Sequence, residues 1–141
     1  MDPRDFLEVA KKLSQGGTAA EYRTAVSRAY YATYHVGAEF LKGVGCSISN
    51  GPSGHGEVIR NLSNCDDLEL AKVGSQLTDL RSQRNFADYN LDNTKYDNQR
   101  ISKAATVQAE RMIQALNQCG SGSRREDIAQ ALKVYLRKIN S

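Results

Sequence analysis

Residues 18–42 constrain the fold more than any other stretch, because they read as one long helix that is apolar on nearly every side. Thr18 followed by Glu21 is a capping box, in which each side chain satisfies the other residue's free backbone N–H. From there Ala25, Ala29, Ala32, Val36 and Phe40 line one face, with Tyr30, Tyr34 and Leu41 on a flank and Tyr31 on the far side. The run breaks at Gly43-Val44-Gly45. A helix at the surface needs a single apolar stripe, so one that is apolar almost all round has to be surrounded, at the centre of a bundle.

The remaining chain supplies helices to surround it. Asp2-Pro3 is a start signal, and Phe6, Val9, Ala10 and Leu13 give a short amphipathic helix that stops at Gly16-Gly17. Residues 43–54, rich in glycine, serine and asparagine, form a loop, followed by a short helix around His55 to Leu62. A further helix opens at Asp66-Asp67, whose carboxylates suit a positive helix N-terminus, and Asn90 to Asp97 is a second polar loop. Ile101, Ala105, Gln108, Met112 and Leu116 then mark a helix from Gln99 to about Gln118. No run alternates apolar and polar residues as a strand would. The fold expected is all-α: an up-and-down bundle of four to five helices in residues 1–119. A Gly/Ser linker at 120–123 and a C-terminal amphipathic helix at 124–141 complete it. That last helix carries Ile128, Ala131, Leu132, Tyr135, Leu136 and Ile139 on one face, and Ser123 with Glu126 reads as its capping box.

A chain of 141 residues is one domain by length and buries roughly two-thirds of its unfolded surface. Its longest apolar stretch, Ala29 to Val36, falls well short of the ~20 residues that cross a bilayer. Met1-Asp2-Pro3-Arg4-Asp5 has no basic region leading into an apolar core, so no secretory signal is read and a cytoplasmic location with no membrane partner is expected. Cys46, Cys65 and Cys119 are odd in number and widely spaced, and neither histidine sits at a metal-ligand spacing from them, so reduced structural thiols are expected and no metal. A net charge of +3 is mild for a nucleic-acid coat protein, though compatible with a local basic cleft. Gly51-Pro52-Ser53-Gly54 lacks the Gly-Lys-Ser/Thr of a phosphate loop, and no Gly-x-Ser-x-Gly elbow or HExxH occurs. No cofactor is expected.

The chemistry points to Leu80-Arg81-Ser82-Gln83-Arg84-Asn85-Phe86-Ala87-Asp88-Tyr89. Leu70, Val73, Leu77 and Leu80 form one apolar stripe, and the same register lands next on Arg84, with Arg81 and Asp88 beside it. An unpaired guanidinium withdrawn from water costs several kcal/mol, so Arg84 needs a partner, solvent, a cleft or an interface. Three accounts fit: an internal Arg84–Asp88 ion pair at i,i+4, a homodimer interface, or phosphate binding with Asp88 or Tyr89 acting chemically or orienting the arginines. On the central helix Arg28, Tyr31 and His35 share a polar face, and His55, between two glycines, could approach the same cleft.

In order and spacing three segments resemble the HEPN (higher eukaryotes and prokaryotes nucleotide-binding) domain. They are Tyr22 to His35, with its Ala29-Tyr30-Tyr31-Ala32 core, Gly54-His55-Gly56-Glu57-Val58-Ile59, and Leu80 to Asn90 with its Ala87-Asp88-Tyr89 end. The likeness is to the small prokaryotic branch and covers roughly Phe6 to Gln118. It implies a helical homodimer with a cleft at the subunit interface that binds RNA or a nucleotide. Many members are metal-independent ribonuclease toxins of toxin–antitoxin or defence systems, paired with a nucleotidyltransferase antitoxin; others are non-catalytic binding relatives or adaptors for such a partner. The family's catalytic signature is an arginine, four to six residues, then a histidine. Arg84-Asn85 matches its front, but after four intervening residues stands Tyr89, preceded by Asp88. The resemblance therefore carries Arg84, Asp88 and Tyr89 as catalytic candidates. Arg81, Asn85, Arg28, Tyr31 and His55 are candidates for RNA or nucleotide contact. Tyrosine is ionised only about one part in a thousand at pH 7, so phosphate binding is better supported than turnover.

Overall fold

The computed structural model describes all 141 residues and is built of helices alone. They are α1 (Arg4–Ser14), α2 (Ala19–Gly43), α3 (Ser53–Ser63), α4 (Leu68–Tyr89), α5 (Gln99–Gln118) and α6 (Gly122–Ile139), with one 3-10 turn at Thr94–Asp97. Central placement of α2 holds: it packs against α1, α3, α4 and α5 and buries residues on all sides, from Arg23 to Leu41. Thr18 Oγ1 accepts the Glu21 N–H at 3.2 Å, while the Glu21 carboxylate takes the Thr18 hydroxyl at 2.8 Å and the Gly17 N–H at 3.2 Å. The return half of the cap thus falls one residue earlier than the capping box predicts. No helix is long and apolar enough to cross a membrane, and the three cysteines are free and buried. Burial pushes the Cys65 thiol up to about 11.

Three local expectations are corrected. In α1 it is Leu7, Ala10 and Ser14 that face inward, at i, i+3 and i+7, while Val9 is turned to solvent. A serine can close this face because its hydroxyl donates to the Lys11 carbonyl at 2.8 Å and its own carbonyl accepts the Gln99 amide at 3.0 Å. The Asn90 to Asp97 loop contains the 3-10 turn, opened by Asn93, whose side chain accepts the Lys95 N–H. Finally, α6 starts ahead of the predicted Ser123 cap. Gly122 turns the chain at φ +73°, a conformation that favours glycine, and no side-chain cap forms.

What anchors α6 instead is Arg124. Its Nε and Nη2 donate to both carboxylate oxygens of Asp67, at 2.9 and 3.0 Å, and Nη2 also reaches Glu69 at 3.1 Å. Ile128 and Leu132 then join the same buried cluster as the core of the bundle. Asp67 is also the N-cap of α4, accepting the Leu70 N–H at 3.0 Å. The Arg124 hydrogen bonds hold its carboxyl below the usual range against the opposing effect of partial burial. Because the folded-state value is depressed, this stabilisation is complete above the ordinary aspartate value of about 3.9 and disappears as pH falls through the depressed value. Asp67→Asn should therefore lower the melting temperature at pH 6 and converge on the native curve towards pH 2, as thermal scans across that range would show.

The α3–α4 contact is made close by Gly74. A Cβ there would lie 2.7 Å from Ser63 Oγ and 3.3 Å from the Ile59 carbonyl oxygen, so the Ser63 hydroxyl would have to turn off that carbonyl and the α3 backbone give by a few tenths of an ångström. Gly74→Ala should destabilise by about 1–3 kcal/mol in urea unfolding, against alanine's better helix propensity.

Candidate functional site

The apolar stripe of α4 is buried at Leu70, Val73, Leu77 and Leu80 and continues onto Arg84, which keeps only 8% of its surface. Its guanidinium has neither an ion pair nor a hydrogen bond in the protein: Asp88 at i+4 takes the Ser27 hydroxyl at 3.0 Å instead, and Arg84 Nε is sealed off with no acceptor. The internal ion-pair account fails here because the helix is gripped by α2, whose Ser27 reaches Asp88 while Tyr30 and Tyr31 fill the space beside Arg84.

Aromatic rings replace a counter-ion. The Arg84 Cζ lies 5.3 Å from the ring centres of both Tyr30 and Tyr31 and 5.9 Å from that of Tyr89. Each such contact contributes about 0.5–2 kcal/mol through the ring's negative face, yet offers the N–H groups no directional acceptor. The pattern repeats outward, since Arg28 stacks between Tyr31, at 4.9 Å, and Phe6, at 5.1 Å. His35 leans on the Phe6 and Tyr31 rings at the edge of this column, and burial lowers its pKa.

The structure brings His55 in from α3. Its ring stacks on Tyr34 at 4.4 Å and Tyr30 at 5.7 Å, and its Nδ1 is hydrogen-bonded to the Tyr30 hydroxyl. Burial first, then Arg81 and Arg84, lower the His55 pKa, which favours the neutral imidazole. Gly54 allows this approach: a Cβ there would collide with the Ser49 carbonyl and the Tyr34 hydroxyl. Arg81, half-buried one turn before Arg84, makes no ion pair either, and it offsets part of the rise that burial imposes on the Tyr30 and Tyr34 hydroxyls.

Of the predicted residues, Arg84, Arg81, Arg28, Tyr31, Tyr89 and His55 are thus assembled around the α2–α4 seam. Asp88 sits one turn away on Ser27, and Asn85 lies exposed on α4 without a hydrogen-bond partner. Tyr30 and Tyr34, read from sequence as core flank, turn out to hold the histidine.

Sequence reasoning missed Arg23. It is buried on α2, and its Nε donates to Asp97 at 2.6 Å. Nη1 donates to the carbonyls of Ala87, Asn90 and Phe86 at 3.0, 3.2 and 3.4 Å, and Nη2 to those of Asn93 and Leu91 at 2.6 and 3.4 Å. The last turn of α4 has no basic residue of its own, so Arg23 supplies the cation that its C-terminal carbonyls favour. In doing so it fixes the end of α4 that carries Arg84, Asp88 and Tyr89. The signal was the one used for Arg84, a charge within the register of buried Val26, Tyr30 and Thr33.

Two buried arginines therefore behave oppositely: Arg23 is saturated by acceptors, and Arg84 has none. A cluster of guanidiniums that no carboxylate pairs, faced with aromatic rings, suits an anion that also offers flat surfaces. Comparison of the chain with family models, curated proteins and solved structures finds no match.

Proposed function

We propose that this chain is a HEPN-type protein that binds RNA or a nucleotide through its phosphates, with Arg84, Arg81 and Arg28 as the anion contacts. The observation that carries the reading is the orphaned guanidinium of Arg84, nine-tenths buried with no acceptor of its own. A phosphate would supply the charge-assisted hydrogen bonds that the terminal amino groups of Arg84 lack, its sealed Nε contributing charge alone, and the exposed Tyr89 provides a face on which a base stacks. Phe86, Tyr89 and Leu91 are exposed together at the end of α4, which supports placing the cleft where a second copy covers it, in a homodimer.

The test is fluorescence anisotropy of a labelled mixed-sequence RNA titrated with the full chain in EDTA, with ATP as competitor. Saturable binding is expected, weakening with salt along a log–log slope of about −2 if three phosphates are engaged at roughly 0.7 per contact. Absence of binding to either ligand would overturn the reading and favour the adaptor role beside a nucleotidyltransferase.

A further inference from the structure

We infer that Tyr30 is a positioning residue that holds His55 in the tautomer with its hydrogen on Nε2, so that this imidazole meets a phosphate as a donor and not as a base. This rests on the anion-binding reading above, and starts from hydrogen-bond accounting. Tyr30 is completely buried, and its hydroxyl has a single partner, His55 Nδ1. A buried O–H hydrogen left without an acceptor costs about 1–3 kcal/mol. Tyr30 therefore donates, Nδ1 accepts, and a neutral imidazole must then carry its hydrogen on Nε2.

The surroundings keep that arrangement. Burial keeps the Tyr30 proton in place, although Arg81 and Arg84 oppose it. Protonating His55 would put a hydrogen on Nδ1 as well, facing the Tyr30 hydroxyl and orphaning that hydroxyl's own hydrogen. The groups around the ring are Tyr30, Tyr31, Tyr34 and His35 from α2, Arg81 and Arg84 from α4, and Glu57 on α3 beside Tyr34. Nε2 has no protein partner and, unlike Arg84 Nε, is not sealed off, so its N–H is free to meet an incoming oxygen.

The consequence is chemical. Cleaving RNA without a metal needs a group to take the 2′-hydroxyl proton, and the obvious imidazole has its acceptor nitrogen occupied by Tyr30. The nearby carboxylate, Asp88, lies a turn away with Oδ2 accepting the Ser27 hydroxyl. Arg28, Arg81, Arg84 and His55 Nε2–H all donate. An imidazole held this way retains a phosphodiester and leaves it intact.

Long-range nitrogen–proton correlation of ¹⁵N-histidine in the full chain reads the tautomer directly. The expected spectrum gives His55 Nδ1 the shift of an unprotonated acceptor and Nε2 that of an N–H, and Tyr30→Phe should move His55 towards a mixture of tautomers. A native protein with the hydrogen on Nδ1, or a His55 spectrum indifferent to Tyr30→Phe, would overturn the inference. In parallel, mixed-sequence RNA incubated with native protein in EDTA should be bound and remain full length; cutting that is lost in His55→Gln would also overturn it. Failure to bind RNA or ATP at all would sink the anion-binding reading and, with it, the cleft's role, while the tautomer result would stand as a separate finding.

Discussion

Arg23→Met is expected to bring the protein close to unfolding. Its guanidinium satisfies Asp97 and five backbone carbonyls from Phe86 to Asn93, and a methionine of similar length satisfies none of them. Removing one partner of a buried charge network typically costs about 3–5 kcal/mol, a large share of the 5–15 kcal/mol that roughly bounds a domain's stability. Urea unfolding followed by circular dichroism should show the midpoint collapse. Where the variant still folds, the end of α4 should exchange amide hydrogens faster than Leu70 to Leu80, because the lost bonds all lie beyond Arg84.

Arg84→Met should do the reverse, keeping the fold and losing the ligand. Removing an unpaired buried N–H relieves about 1–3 kcal/mol, and losing the ring contacts costs about 0.5–2 kcal/mol for each well-formed cation–π pair. Three rings touch Arg84, so the loss matches or exceeds the relief, and the melting temperature should stay near native or fall by several degrees while the fold is kept. Binding is different, since a charge-assisted hydrogen bond contributes about 1.5–3 kcal/mol, which is roughly tenfold to a hundredfold in affinity.

Much of this is legible in the sequence. The central helix, its Thr18 start and the Leu70 to Leu80 stripe ending on Arg84 follow from spacing alone, since burial on a helix is periodic. What Arg84 meets was not legible, because the choice between Asp88 and open space depends on Ser27 of another helix capturing the carboxylate. Arg23 carried the same signal as Arg84 but was hidden in a helix apolar on every side, where no single stripe makes a charge conspicuous. His55 could be suspected and not placed: its arrival depends on Gly54 letting α3 lie against Tyr34. The face of α1 was misread at Val9 because Ser14 closes it, and a polar residue satisfied by its own helix leaves no mark in an apolar pattern. The same holds for Ser123, which looks like a cap until Gly122 turns the chain first.

The central claim is that Arg84 waits for a phosphate, and the most direct test is to titrate labelled mixed-sequence RNA in EDTA with native and Arg84→Met protein side by side, with melting curves of both. The native chain should bind saturably, and the affinity should be lower by tenfold or more in a variant that remains folded. Equal affinity in a folded variant would contradict the claim, as would a variant that loses its fold together with its binding.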